Sequence, residues 1–225
     1  MIKSILLIIT GGIAAYKSLE LIRKLKEQNI DVTCVLTKSG SEFVTPLSVA
    51  SLSGNHVFSE LFNLTDENKM GHIELSRSAD LVLVAPATTN IISKMAYGSC
   101  DDLASTILMA TNKPVMVVPA MNVRMWHNAA TQRNIQTLID DGIRFIGPNK
   151  GDMACGEYGL GRMSEPQEII NSIIEYDNSL IHQPLKNFSA FVTAGPTREK
   201  IDPVRFISNE SVSYTHLRAH ETFGY

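Results

Sequence analysis

The sequence predicts an α/β protein of three layers, α/β/α, in which helices cover both faces of a parallel sheet of the Rossmann or flavodoxin type. Short runs at residues 5–9, 31–36, 81–85 and 115–118 are apolar and rich in β-branched residues, as expected of strands buried on both faces. Segments with helical periodicity separate these runs, and strands that alternate with helices form parallel sheets. The 225 residues suffice for one such domain with a fragment left over.

The elements follow one another in the order that a doubly wound sheet requires. Strands are predicted at residues 5–9, 31–36, 81–85, 115–118 and 144–146, and helices at residues 14–26, 39–51, 89–111, 129–141 and 165–176. Leu19, Ile22 and Leu25 form the apolar stripe of the first helix, and Pro166 lies at the start of the last. Residues 151–163 (GDMACGEYGLGRM) are rich in glycine and lack apolar alternation, so we expect a loop with neither helix nor strand.

Four polar loops follow the predicted strands, and they are TGGIA, TKSGSEF, PATTN and PAMNVRMW. Ligands of open α/β sheets bind at the carboxyl ends of the strands. These loops contain most of the unusual polar residues of the chain. We therefore expect the active site at this edge of the sheet.

Gly11 and Gly12 lie between a strand and a helix start, where free amide groups and the helix dipole favour an anion. The spacing is neither that of the dinucleotide fingerprint nor that of the P-loop, and a tight turn without a ligand is the alternative. Hydroxyl groups of Thr37, Ser39 and Ser41 can donate to the same phosphate. Because the second strand does not end in an acid for a ribose diol, the pattern favours a mononucleotide such as FMN over NAD.

Composition excludes several classes of function. The net charge of -3 gives no signal for nucleic acid or for an acidic membrane surface. Cys34, Cys100 and Cys155 have no metal-like spacing, so we expect no metal site and a reducing compartment. The first apolar run is too short to span a bilayer, which predicts a cytoplasmic protein.

Five motifs together resemble the flavin-dependent phosphopantothenoylcysteine decarboxylases of coenzyme A synthesis. They are GGIAAYK, GHIELSRSADLVLVAPATTN, CDDLAST, PAMNVRMW and ACGEYGLGRM. The resemblance covers residues 2–176, and it implies FMN as cofactor and carboxy-lyase activity. In this chemistry a thiol is oxidised to a thioaldehyde, CO2 leaves, and the enethiol is reduced.

The resemblance also assigns roles to residues of this chain. His72 matches an active-site histidine that accepts the thiol proton, Asn122 an asparagine that holds the substrate carboxylate, and Cys155 a proton donor on a mobile glycine-rich clamp. A helix-start histidine, a helix-capping asparagine and an inert loop cysteine are the respective structural alternatives. The predicted flavin contacts are Gly11, Gly12, Ile13, Thr37, Ser39, Phe43, Pro86, Thr88, Thr89, Asn90, Asp102 and Leu103. Further substrate contacts are expected from Ala120, Met125, Gly159 and Arg162.

Family members form trimers or multiples of trimers, so the resemblance implies a homo-oligomer. Residues 192–209 look like the opening of the ligase domain that is fused to this decarboxylase in many bacteria. We expect a flavoprotein domain at residues 1–180, a linker and truncated ligase start at 181–210, and a tail at 211–225 that resembles a translated sequencing adapter. Ligase activity is therefore expected to be absent from this chain.

Three other functions compete with this one. A peptidyl-cysteine decarboxylase of the same family is the nearest, and the ligase-like segment argues against it. A non-catalytic flavin-binding regulatory subunit is the second, although His72, Asn122 and Cys155 are all present. A flavin prenyltransferase is disfavoured because the GHIELS and ACGEYGLGRM patterns are not those of that group.

Overall fold

The computed structural model describes residues 1–60, 71–154, 156–181 and 198–208. The chain divides into two compact units, residues 1–181 and 182–225. Among the helices in the described ranges, none combines the length and the apolar character that crossing a bilayer requires. The division into domains at 1–180, 181–210 and 211–225 stays a prediction, and the adapter-like tail lies outside the described residues.

The first unit is built on a six-stranded parallel sheet. Its strands are β1 (Ser4–Ile9), β2 (Asp31–Leu36), β3 (Val57–Phe58), β4 (Leu81–Ala87), β5 (Val115–Pro119) and β6 (Arg144–Phe145), in the spatial order β3-β2-β1-β4-β5-β6. Each neighbouring pair is parallel, with Ile5 beside Val32 on one side and beside Leu81 on the other. The predicted three-layer α/β/α fold with a parallel sheet is confirmed.

Helices pack on both faces of this sheet. They are α1 (Tyr16–Glu27), which follows a 3-10 turn at Ile13–Ala15, α2 (Pro46–Ser53), α3 (His72–Leu75), α4 (Thr89–Tyr97), α5 (Leu103–Ala110), α6 (Val123–Trp126), α7 (Ala129–Asp140) and α8 (Pro166–Ile181). Strand β1 places Leu7 in the core shared with α1 and α8, and Leu6 in the core shared with α4, α5 and α7. Because both faces of β1 are buried, its sequence is continuously apolar rather than alternating.

The loop predicted for residues 151–163 is wrong, because this region contains an antiparallel hairpin. Its strands are β7 (Asn149–Asp152) and β8 (Tyr158–Arg162), with Gly151 opposite Gly159. Hairpin pairing uses backbone groups, so it needs no apolar alternation. Gly161 has φ 138 and its carbonyl accepts the Met121 N–H at 2.9 Å. A β-carbon at this position would overlap with the Met121 carbonyl oxygen, so glycine here permits close approach to another loop.

Two other elements differ from their predicted extents. The helical segment at residues 89–111 is two helices, because α4 ends at Gly98 in the left-handed conformation and Asp102 caps the start of α5. The helix predicted from residue 39 begins only at Pro46, with the Thr45 side chain accepting a hydrogen bond from the Ser48 amide. Strand β3 was not predicted.

The described part of the second unit is a small hairpin. Its strands are β9 (Arg198–Lys200) and β10 (Phe206–Ser208), paired antiparallel. The Asp202 carboxylate accepts hydrogen bonds from the amides of Val204 and Arg205, at 2.9 and 2.7 Å. This contact fixes the turn between the two strands.

Candidate functional site

The carboxyl ends of β1, β2 and β4 surround a cavity of about 500 Å³, which we call the edge cavity. Its lining includes all the predicted flavin contacts except Ile13 and Pro86, namely Gly11, Gly12, Thr37, Ser39, Phe43, Thr88, Thr89, Asn90, Asp102 and Leu103. Pro86 belongs to β4 and its carbonyl accepts the Thr10 hydroxyl at 2.6 Å. The edge of the sheet that the sequence indicated therefore carries a cavity of the size that cofactor sites have.

Glycines allow three chain segments to meet at one end of the edge cavity. A β-carbon on Gly11 would lie 2.7 Å from Ser39 Cβ, and one on Gly12 would lie 3.9 Å from the Thr88 methyl group. Gly12 has φ 121, a conformation that favours glycine. The loops after β1, β2 and β4 are thus brought within reach of one small group.

Two helix starts that border this end of the cavity have no side-chain cap. Gly12 is the N-cap of the 3-10 turn that leads into α1, and Thr88 is the N-cap of α4. Neither start has a hydrogen bond to a capping side chain. Free amide groups at a helix start, together with the helix dipole, bind anions such as phosphate. The exposed Lys38 adds a cation to the same lining. This end of the edge cavity is suited to a phosphate group.

A second cavity of about 340 Å³ lies between the start of α1, the loop after β5 and the hairpin, and we call it the hairpin cavity. Ala120, Asn122 and Arg162, three of the residues expected to contact substrate, line it, and Ile13 lines it rather than the edge cavity. Met125, also predicted for substrate, lines the edge cavity. Gly159 lines neither cavity and packs against Val123, where a β-carbon would lie 2.9 Å from a side-chain methyl group.

Asn122 has one half of its amide engaged and the other half free. Its Oδ1 accepts the Met125 N–H at 2.8 Å and so caps α6. Its Nδ2 has no partner among the described residues, and the residue borders the hairpin cavity. The cap fixes the direction of the side chain, which leaves the amide nitrogen as a donor to an acceptor in the cavity.

Sequence reasoning missed Lys17, which is buried in the wall of the hairpin cavity. Its Nζ donates to the Met163 carbonyl at 3.2 Å and to Glu165 Oε1 at 2.9 Å. The hydrogen bond from Lys17 lowers the pKa of Glu165, despite the opposing effect of burial, and Arg162 adds to this. Lys17 lies four residues before the buried Leu21 on α1, so helical periodicity could have indicated its burial. These contacts join the start of α1 to the base of the hairpin.

The other two predicted catalytic residues, His72 and Cys155, follow β3 and β7 in the chain. His72 begins α3, and its side chain lies outside the described residues. Cys155 also lies outside them, between Ala154, which lines the hairpin cavity, and Gly156, whose N–H donates to the Met153 carbonyl at 2.9 Å. The roles of both residues stay predictions.

Cys34 and Cys100, which were expected to be inert, have contrasting surroundings. Cys34 lies in β2 and is buried, and burial raises the pKa of its thiol to about 12. Cys100 is exposed before α5. Neither cysteine lines one of the two cavities.

Comparison with known proteins gives the family. Residues 1–177 match the Flavoprotein family. The chain belongs to the Flavoprotein family. Residues 185–214 match a second family, described as the DNA/pantothenate metabolism flavoprotein C-terminal domain.

Individual proteins and solved structures that are similar to this Flavoprotein member support the family assignment. The coenzyme A biosynthesis bifunctional protein CoaBC of Haemophilus influenzae is 49% identical over 221 residues, which is 98% of this chain and 55% of that protein. The chain thus spans about half the length of the curated relatives it matches. Among solved structures, a PPC decarboxylase mutant complexed with pantothenoylaminoethenethiol is 34% identical, with a TM-score of 0.69, over 79% of this chain and 100% of the other.

Two further structures bear on the cofactor and on the competing function. The FMN binding protein AtHal3 is 34% identical with a TM-score of 0.68, over 81% of this chain and 100% of that one. The peptidyl-cysteine decarboxylase EpiD is 26% identical with a TM-score of 0.65, over 77% of this chain and 99% of that one. Family membership supports a flavin cofactor. The residues of the edge cavity fit one, because they provide an end suited to a phosphate, hydroxyl and amide donors, and room for a ring.

Proposed function

We propose that this chain is an FMN-dependent decarboxylase of 4'-phosphopantothenoylcysteine, which it converts to 4'-phosphopantetheine in coenzyme A synthesis. One observation carries the proposal: a cavity with two uncapped helix starts adjoins a second cavity that the Asn122 amide borders. The first suits a flavin phosphate, and the second suits a substrate carboxylate. The CoaBC relatives and the PPC decarboxylase neighbour support the choice of substrate.

A bound FMN would supply the two-electron chemistry, removing hydride from the substrate to give a thioaldehyde and later returning it to the enethiol. The protein has to bind the carboxylate, take one proton from the thiol and give one proton back to carbon. CO2 is lost between these two proton transfers, when the thioaldehyde can accept the electron pair of the breaking carbon–carbon bond. The residues of this chain divide those tasks.

Asn122 is proposed to hold the carboxylate through Nδ2. A neutral donor orients this group without the ionic stabilisation that would favour the ground state over the transition state for CO2 loss. The Oδ1 contact with the Met125 N–H at 2.8 Å prevents rotation of the amide. Capping and substrate binding are therefore compatible uses of the same side chain.

His72 and Cys155 are proposed to move the protons. Imidazole titrates near neutrality, so His72 suits the acceptance of the thiol proton. A free thiol is mostly protonated at pH 7, so Cys155 suits the donation of the final proton. The hairpin that carries Cys155 borders the substrate cavity, and its closure would exclude water from the reactive intermediate.

The test is an assay of purified, FMN-loaded protein with 4'-phosphopantothenoylcysteine and a peptide ending in cysteine in parallel. We expect CO2 release from the first substrate, loss of release in His72→Asn with FMN retained, and accumulation of the enethiol in Cys155→Ser. Normal product at a normal rate from Cys155→Ser would show the clamp assignment to be wrong. FMN binding without turnover of either substrate would favour a non-catalytic regulatory subunit.

The peptidyl-cysteine alternative has support of its own in the similarity to EpiD. The match of residues 185–214 to the pantothenate metabolism family favours the coenzyme A substrate, because a peptide-modifying enzyme has no use for that segment. Preferential turnover of the peptide would decide for the alternative.

We also propose a homotrimer, or a multiple of it, acting in the cytoplasm. Exposed apolar residues that line the two cavities, including Ile13, Tyr16 and Phe43, support self-association. Light scattering of the purified chain measures its mass, and a monomer at micromolar concentration would contradict the oligomer.

A further inference from the structure

Lys94 is a cation in the wall of the edge cavity to which the proposed function gives no role. It lies in the last turn of α4, six residues after the uncapped start at Thr88, and its side chain is 21% exposed. Its Nζ donates to the Asp101 carboxylate at 2.8 Å and to Asp102 Oδ2 at 2.6 Å. One ammonium group and two carboxylates thus form a cluster with one excess negative charge beside the cavity.

Asp102 is held rigidly within this cluster. Its Oδ1 accepts the Ser105 N–H at 2.7 Å while its own N–H donates to Ser105 Oγ at 3.1 Å, and these two bonds form a capping box at the start of α5. The Ser105 hydroxyl also donates to Asp102 Oδ1, at 2.8 Å. Burial acts to raise the pKa of Asp102, but the hydrogen bonds from Lys94 and Ser105 outweigh it and lower the pKa. Burial likewise opposes the charge on Lys94, whereas its two carboxylate partners raise its pKa. The pair is therefore charged at neutral pH.

The cluster is separate from the end of the edge cavity that is suited to a phosphate. Gly11, Gly12 and Ser39 meet at that end, whereas Lys94 is about 8 Å further along α4 from the Thr89 end. Lys94, Asp102 and Leu103 line the same cavity. A flavin phosphate held at the helix starts would leave the rest of the cavity, including the wall with Lys94 and Asp102, for the remainder of the cofactor.

We propose that Lys94 and Asp102 set the reduction potential of the bound flavin in opposite directions, with Lys94 favouring the reduced state and Asp102 the oxidised state. This inference rests on the proposed function only in requiring that a flavin fills the edge cavity. Two-electron reduction of a flavin increases the negative charge on its ring, and a nearby cation stabilises that charge while a carboxylate opposes it. A balanced pair suits an enzyme that must withdraw a hydride from its substrate and later return it.

The experiment measures the midpoint potential of the FMN-loaded full chain by equilibration with a reference dye, without substrate. We expect Lys94→Met to disfavour reduction by at least tenfold in the equilibrium constant, which is about 30 mV for a two-electron couple. Asp102→Asn, which keeps an N-cap, should shift the potential in the opposite direction. Asp101→Asn should follow Asp102→Asn with a smaller shift, because the Asp101 side chain is 64% exposed and better screened by water.

Lys24→Met is the matched control. Lys24 also lies in the last turn of a helix, is 27% exposed, and has its Nζ 4.0 Å from Glu20 Oε1, but it lines neither cavity. The proposal would be overturned if the flavin midpoint potential of Lys94→Met equals that of the Lys24→Met control. It would also be overturned if Lys94→Met and Asp102→Asn shift the potential in the same direction. If Lys94→Met does not retain FMN, an unchanged potential in Asp102→Asn overturns it as well. If the decarboxylase function alone is wrong, there will be no turnover, but Lys94→Met and Asp102→Asn will still shift the potential in opposite directions. A chain that binds no FMN would contradict both the proposed function and this inference.

Discussion

Replacing Gly161 by alanine tests whether the hairpin of β7 and β8 must lie against the loop after β5. Gly161 has φ 138, and its carbonyl accepts the Met121 N–H at 2.9 Å. The added β-carbon would overlap with the Met121 carbonyl oxygen, which belongs to rigid backbone and cannot rotate away. The hairpin would have to move out from the loop that carries Asn122.

The cost follows from two contributions. A side chain held at this backbone conformation costs about 1 to 3 kcal/mol, and loss of the hydrogen bond between Met121 and Gly161 costs about 1 kcal/mol. A sum of at least about 2 kcal/mol shifts the equilibrium between docked and undocked hairpin by about 30-fold or more. Because we propose that Cys155 acts from this hairpin, the rate of the final protonation should fall by up to the same factor.

The assay compares product formation by Gly161→Ala with that by two other glycine variants. Gly142→Ala and Gly156→Ala also place alanine at positive φ, 89 and 80, but their β-carbons would meet no atom within 4 Å. We expect the Gly161 variant to keep its flavin absorbance, since Gly161 does not line the edge cavity, and to release enethiol in place of the reduced product. Wild-type rates in Gly161→Ala, or equal losses in all three variants, would refute the reasoning.

Asn122→Asp keeps the acceptor that caps α6 but removes the Nδ2 donor. The rate of decarboxylation should therefore fall by about 100-fold or more, while the melting temperature stays close to that of the wild type. A normal rate would exclude carboxylate binding by this amide. Burial raises the pKa of the Cys34 thiol to about 12, so Cys34 should resist alkylation at pH 8 in the native protein while the exposed Cys100 reacts. Mass spectrometry of digests measures the labelling of each cysteine, and equal labelling would contradict the burial of Cys34. Hydrogen bonds, first from the Lys3 N–H and also from Ser4, lower the pKa of Asp80. The stability that this carboxylate gives the folded protein is therefore present above the unfolded-state pKa of about 3.9, and it is lost as the pH falls through the folded-state pKa. Asp80→Asn should therefore lower the melting temperature at pH 7 but flatten its decline as the pH falls below about 4, and a parallel decline in both proteins would reject this account.

The sequence was sufficient for the sheet because burial on both faces leaves a strong local pattern. Every residue of the run from Ile5 to Ile9 faces one of two cores, so no alternation is possible and the apolar run stands out. The hairpin at residues 149–162 leaves no such pattern. It is defined by backbone pairing and by contact with a distant loop, and neither is visible in the side chains of the hairpin itself.

The sequence was sufficient to predict which loops form the site, but not which cavity each residue of those loops lines. The parallel sheet brings the loops after its strands to one edge, which is why Gly11, Ser39 and Thr88 could be grouped in advance. Ile13 follows Gly12 directly yet lines a different cavity, because the 3-10 turn directs successive residues to different sides. Lys17 is fixed by Glu165, a partner 148 positions away in the chain that no local pattern reveals.

The helix starts themselves distinguish the end of the edge cavity that is suited to a phosphate from the rest of this edge of the sheet. The N-cap side chain of four helices, α2, α5, α6 and α7, accepts a hydrogen bond from the first turn of its helix. These N-caps are Thr45, Asp102, Asn122 and Asn128. A start of this kind has already satisfied part of its amide groups and gains less from a bound anion. The starts at Gly12 and Thr88 lack such a bond, although Thr88 carries a hydroxyl that could form one. Thr88 does not cap its own helix, and Gly12 has no side chain with which to cap. The Thr88 hydroxyl and the amides of both helix starts therefore stay available as donors. A phosphate bound between the two loops requires donors of this kind.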